Sequence, residues 1–148
     1  MGEAAFVVVT GWLIALSAYD LRCRRLPNLL TLPGAAVILT AAAALAGHGA
    51  GALAGALALT GIYAAVHLCA PAALGAGDVK LALGVGGLTG AFGTQSWALC
   101  AVGASLLTGL WGAARVLRGV RSAVPHGPAM CLTAAAAVMT ALADPALG

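Results

Sequence analysis

Ionisable side chains are nearly missing from this sequence. Seven lysines and arginines and four aspartates and glutamates make up 7% of 148 residues, against about 25% in a soluble globular domain. A chain so poor in charge cannot face water on all sides, and a soluble fold is excluded. The four cysteines, Cys23, Cys69, Cys100 and Cys131, are far apart and form no C-x-x-C pair, which points away from a zinc site or a disulfide framework. Ser17, Ser96 and Ser105 have no histidine or lysine at a suggestive spacing, which argues against serine-protease chemistry. Met1-Gly2-Glu3 carries no basic n-region, so the first apolar stretch reads as a retained helix rather than a cleaved signal peptide. No internal repeat or polar linker divides the chain, and residues 1–148 read as a single membrane domain.

What remains is apolar: 62% hydrophobic residues and a mean hydropathy of +1.04. Long apolar runs occupy Ala4–Tyr19, Leu29–Ala46, Ala50–Ala70, Val79–Phe92, Trp97–Val116 and Ala129–Ala143. A membrane-spanning helix needs about 20 residues. The pattern predicts an all-α, polytopic membrane helix bundle of about six transmembrane helices. The fourth run is short and rich in glycine (Gly84, Gly86, Gly87, Gly90), so it fits a tilted, broken or buried segment. Five spans and a re-entrant segment form the alternative. Gly47, Gly51 and Gly55 recur at small-xxx-small spacing, which either lets helices approach closely or reflects an alanine- and glycine-rich genome.

The basic residues fall in three places: Arg22, Arg24 and Arg25 after the first run, Lys80 after the third, and Arg115, Arg118 and Arg121 after the fifth. Six spans put all three on one side, which the positive-inside rule assigns to the cytoplasm. Both termini, Glu3 and Asp144 then lie outside. The net charge of +3 is accounted for by these flanks and calls for no nucleic-acid partner.

Two of the four acidic residues, Asp20 and Asp78, sit at the edges of apolar runs on that same side. Ionisable groups at a hydrocarbon boundary are costly to keep and are functional candidates by default. If the two carboxyls meet, they cannot both ionise cheaply and will share a proton. The ionised member can then activate water against a peptide carbonyl while the protonated member donates to the carbonyl oxygen and the leaving nitrogen. Simpler roles compete. Asp20 can pair with Arg24 at i,i+4, and Asp78 can cap the helix that starts near Val79.

The surrounding residues favour the chemical reading. Asp20-Leu21-Arg22-Cys23-Arg24-Arg25-Leu26-Pro27-Asn28, Gly75-Ala76-Gly77-Asp78-Val79-Lys80-Leu81 and Val124-Pro125-His126-Gly127-Pro128 together resemble the prepilin peptidase family, the type IV leader peptidases of the GxGD aspartic membrane proteases. The likeness covers nearly the whole chain. It implies an endopeptidase of the inner (cytoplasmic) membrane that cleaves the basic leader from type IV prepilin-like precursors, with its site facing the cytoplasm. It also implies Asp20 and Asp78 as the catalytic pair, a precursor protein and the bilayer as partners, and no metal or organic cofactor. Long family members carry a cytoplasmic insertion with paired C-x-x-C cysteines and also methylate the pilin. The stretch from Arg22 to Asn28 has no room for that insertion, so the chain resembles the short, peptidase-only form.

Supporting roles are narrower. Gly75 and Gly77 suit a tight turn where backbone passes close to substrate or another helix. Lys80 reads as an interfacial cation that can also steady an aspartate. Pro27 and Asn28 read as a helix start, with Asn28 a candidate neighbour of Asp20. His126 reads as a turn residue where the family more often has an apolar one, His67 as an interfacial residue, and Trp97 as an outer interfacial anchor. Two other classes stay open: a small ion-coupled transporter, which would place a carboxylate near the midplane, and a non-catalytic pilus or secretion assembly subunit.

Overall fold

The protein is described from a computed structural model that covers residues 2–71, 73–120 and 124–143. Arg121 and Asp144, both used above to argue orientation, lie outside the described residues. Within them the chain forms six helices and no strand: α1 Glu3–Cys23, α2 Asn28–Ala44, α3 Gly49–Cys69, α4 Ala76–Gly90, α5 Thr94–Leu117 and α6 Gly127–Ala143. Each matches one apolar run. The breaks fall where the backbone demands them. Gly47, Gly93 and Gly119 take positive φ at three turns, and Arg24 takes the left-handed conformation that ends α1.

α1, α3 and α5 are long and apolar enough to cross a membrane, while α2 and α6 are shorter apolar helices of 17 residues. At 1.5 Å per residue, the 15 residues of α4 rise about 22 Å, short of the roughly 30 Å hydrocarbon core. Of the expected forms for the short fourth run (tilted, broken or buried), α4 takes the buried one, as an unbroken helix. It is also the most enclosed, with Leu81, Ala82 and every residue from Gly84 to Gly90 buried. α2, α3, α5 and α6 pack around it. The outer helices turn large apolar side chains outward, among them Val7, Val8 and Ile14 on α1 and Leu53, Leu57 and Ile62 on α3. In water such a surface would aggregate. Against acyl chains it is matched, and the fold is a helical membrane bundle.

Lipid is as apolar as leucine, so close packing rather than the hydrophobic effect joins the helices. The tightest seam is between α3 and α4. A Cβ on Gly51 would lie 2.6 Å from the Gly90 carbonyl oxygen, and one on Gly55 would lie 2.5 Å from that of Gly86; the reverse approaches are as close. Small-xxx-small spacing therefore serves packing at Gly51 and Gly55, whereas Gly47 belongs to the preceding turn. Two indoles lock the bundle through backbone oxygens. Trp12 Nε1–H donates to the Leu30 carbonyl at 2.8 Å, and its ring lies against Gly34 and Gly84. Trp97, expected as an outer interfacial anchor, is partly buried in the first turn of α5. It turns inward and donates to the Gly55 carbonyl at 3.0 Å, because the missing side chain at Gly55 leaves room for the indole.

Gly55→Ala and Gly86→Ala should each destabilise the bundle by about 1–3 kcal/mol through overpacking. Gly61→Ala, whose Cβ meets nothing within 4 Å, should not. Thermal unfolding in detergent checks the contrast.

Candidate functional site

Asp20 lies in the last turns of α1, which continues to Cys23 rather than ending at the aspartate. Its side chain is buried. Oδ2 accepts the backbone N–H of Gly127 at 3.0 Å. Gly127 opens α6, so the donor is one of the N–H groups a helix start leaves without an internal partner. The positive end of the helix dipole favours an anion there. Only glycine permits the approach, since a Cβ at position 127 would come within 2.7 Å of that same oxygen. The expected turn at Val124–Pro128 thus holds the first aspartate. Pairing with Arg24 is not the main anchor: the Arg24 backbone N–H bonds the Asp20 carbonyl, while the carboxylate is turned toward α6.

Asp78 is not in a loop before its helix but in the first turn of α4. Its Oδ2 accepts the Gly75 N–H at 3.2 Å, and its own N–H returns a bond to the Gly75 carbonyl at 3.0 Å. Asp78 is therefore not the N-cap, which is Gly75; it sits at the third helical position and reaches back to the cap residue. Gly75 has an ordinary extended backbone (φ −75°). Both glycines are under steric demand: a Cβ on Gly75 would sit 3.3 Å from Asp78 Oδ2, and one on Gly77 would sit 3.2 Å from the Leu26 Cβ. The start of α4 thereby rests on the connection that follows Asp20. His67 Nδ1 donates to the Leu74 carbonyl at 2.7 Å, gripping the other end of the peptide whose N–H meets Asp78.

A further tie joins the same two segments. Lys80 Nζ donates to Asn28 Oδ1 at 2.8 Å. Lys80 is thus bonded to the start of α2 and is more than a lipid anchor, and Asn28 faces Lys80 rather than Asp20. Pro27 is the N-cap residue of α2, and its carbonyl accepts the N–H groups of Leu30 and Thr31. The two carboxyl groups lie within electrostatic reach of one another, and Tyr63 on α3 lies within reach of Asp78. Cys131 on α6 lies within reach of both aspartates.

The family model of type IV leader peptidases matches residues 7–113. That span takes in both aspartates and most of the chain. The chain belongs to the type IV leader peptidase family. No curated protein and no solved structure matches it. In this leader peptidase relative, α6 and the Gly127 donor lie beyond the matched residues.

Sequence reasoning read His126 only as a turn residue. His126 is bonded at both ring nitrogens, Nε2 to the Tyr63 hydroxyl and Nδ1 to Thr108 Oγ1, each at 2.7 Å. Burial pushes its imidazole down to about 4, so it is neutral near pH 7. The only sequence signal was its departure from the family's usual apolar residue. Among the described residues no group of three or more His, Cys, Asp or Glu side chains converges as a metal site. Each carboxylate, by contrast, accepts a single backbone N–H there, which leaves lone pairs open to a donor such as a water.

Asn28→Ala and Lys80→Met should each cost about 0.5–1.5 kcal/mol. Because they remove one bond, the double variant should lose no more than the worse single. A double-mutant cycle on unfolding midpoints reads this.

Proposed function

We propose that this chain is a membrane aspartic endopeptidase that removes the basic leader from type IV prepilin-like precursors, with Asp20 and Asp78 as its catalytic pair. The observation that carries the reading is that two carboxylates lie within electrostatic reach of one another at one end of the bundle, each with Oδ2 held by a backbone N–H. Two like charges in reach of one another favour a state with one proton between them. The ionised aspartate takes a proton from water as that water's oxygen bonds to the scissile carbonyl carbon. The protonated aspartate gives its proton toward the oxygen that becomes negative. On collapse the C–N bond breaks, the aspartate that took the water proton delivers it to the leaving nitrogen, the other aspartate takes back the proton it lent to the oxygen, and one water has been added across the peptide.

The location suits a leader junction. Arg22, Arg24, Arg25 and Lys80 lie on the same end as the aspartates, as do Arg115 and Arg118 at the close of α5. The positive-inside rule gives that end to the cytoplasm, where a precursor's basic leader resides. A precursor's apolar helix would approach through the lipid and present the first residues of its leader junction at the rim. Gly75, Gly77, Pro27, Asn28 and Lys80 frame the pair rather than react: Gly75 supplies an N–H, Gly77 permits close approach, and the other three hold the α2 start against α4. An ion-coupled carrier fits less well, because both carboxylates lie in end turns of their helices rather than mid-helix.

In a co-expression cleavage assay with a cognate prepilin, Asp20→Asn and Asp78→Asn should each lower the rate by roughly 10²–10⁴-fold. Normal cutting by both would sink the reading. The pH–rate curve should be bell-shaped, with apparent pKa values that belong to the pair. Gly127→Ala leaves both carboxyls in place but pushes on one, and an ångström of displacement should cost about 100-fold.

A further inference from the structure

The His126–Gly127 peptide sets the direction of the N–H that Asp20 receives. Three contacts hold that peptide. Its carbonyl accepts the Met130 N–H at 3.1 Å within the first turn of α6. The His126 ring bonds Tyr63 on α3 and Thr108 on α5, both at 2.7 Å. The His126 ring also lies tilted on the Tyr63 ring, with centroids 5.4 Å apart. Both partners are hydroxyls that donate or accept, so a neutral imidazole satisfies them in either tautomer. With both nitrogens occupied, the ring has no free position for proton transfer to a substrate. Its effect is mechanical: it fastens the entry of α6 to two other helices at the residue before the donor.

We propose that His126 is a positioning residue, which through its bonds to Tyr63 and Thr108 fixes the Gly127 N–H against the Asp20 carboxylate. The proposal deepens the reading of Asp20 as one of the catalytic pair and rests on it. Removing the ring bonds keeps both carboxyls but lets the start of α6 shift. The loss then falls on the chemical step rather than on binding, and an ångström is enough.

The test uses the full chain in liposomes with a prepilin-like precursor, reading kcat and KM separately. His126→Phe keeps a ring of similar size and removes both bonds; it should lower kcat about 10–100-fold with KM within about twofold. His126→Gln, which restores one polar arm, should recover part of the rate. Tyr63→Phe and Thr108→Val should each lose kcat on their own. Tyr63→Phe added to His126→Phe should lose nothing more, because the bond it removes is already gone. Wild-type kcat in His126→Phe while Asp20→Asn is dead overturns the proposal and leaves the aspartate pair standing. So do losses that multiply in the double variant, or a lowered unfolding midpoint with unchanged kcat. If His126→Phe fails to fold, the two hydroxyl variants decide, and wild-type kcat in both is fatal. A wild-type rate in Asp20→Asn overturns the pair itself and the His126 role with it.

Discussion

A carboxylate at the rim of a hydrocarbon layer must find its hydrogen bonds inside the protein, since lipid supplies none. Asp20 meets that demand through the Gly127 N–H at 3.0 Å, a donor 107 residues away in sequence. This contact joins the end of the first helix to the start of the last, two helices that also pack side by side. Asp78 solves the same problem locally, through Gly75 three residues earlier. The two solutions have different consequences. A self-contained turn carries its carboxylate wherever its helix goes, whereas Asp20 is placed only when α1 and α6 are both in position.

The level of Asp78 is therefore a question of where α4 sits. The helix is too short to be set by the thickness of the bilayer, so its neighbours set it. Gly51 and Gly55 on α3 meet Gly90 and Gly86 on α4 with backbone against backbone, and a shift of one helix along the other would drive Cβ atoms of adjoining residues into carbonyl oxygens. At the other end Gly77 rests on Leu26, and Lys80 is bonded to Asn28. Those two contacts tie the start of α4 to the few residues that follow Asp20. Glycine packing thus fixes the depth of one aspartate, and the 24–28 connection relates that depth to the other.

Much of this was legible beforehand, and the reason is physical. Apolar runs of spanning length admit little but helix in lipid, so six runs became six helices with ends shifted by a few residues. The aspartates stood out because almost nothing else in the chain is charged. Partners across the bundle were not legible. Trp97 looked like an anchor because tryptophans favour interfaces, and only the space at Gly55 shows why it turns inward. Lys80 looked like a cation obeying topology, and Asn28 was a candidate neighbour of Asp20; their bond to each other depends on α2 and α4 lying side by side. His126 looked like a turn residue, and its two hydroxyl partners lie 63 and 18 residues away on different helices.

The family match ends at residue 113, yet the donor to Asp20 comes from residue 127. A main-chain donor explains how the two facts coexist. An N–H at a helix start asks for no particular side chain; it asks that the helix begin at that point and that no Cβ intrude. What must be retained is a glycine at the point of approach and some means of holding the turn that precedes it. In this chain that means is a histidine reaching two hydroxyls, where the family resemblance leads one to expect an apolar residue. An apolar side chain in that place would have to hold the turn by packing alone, so the histidine exchanges contact area for two directed bonds.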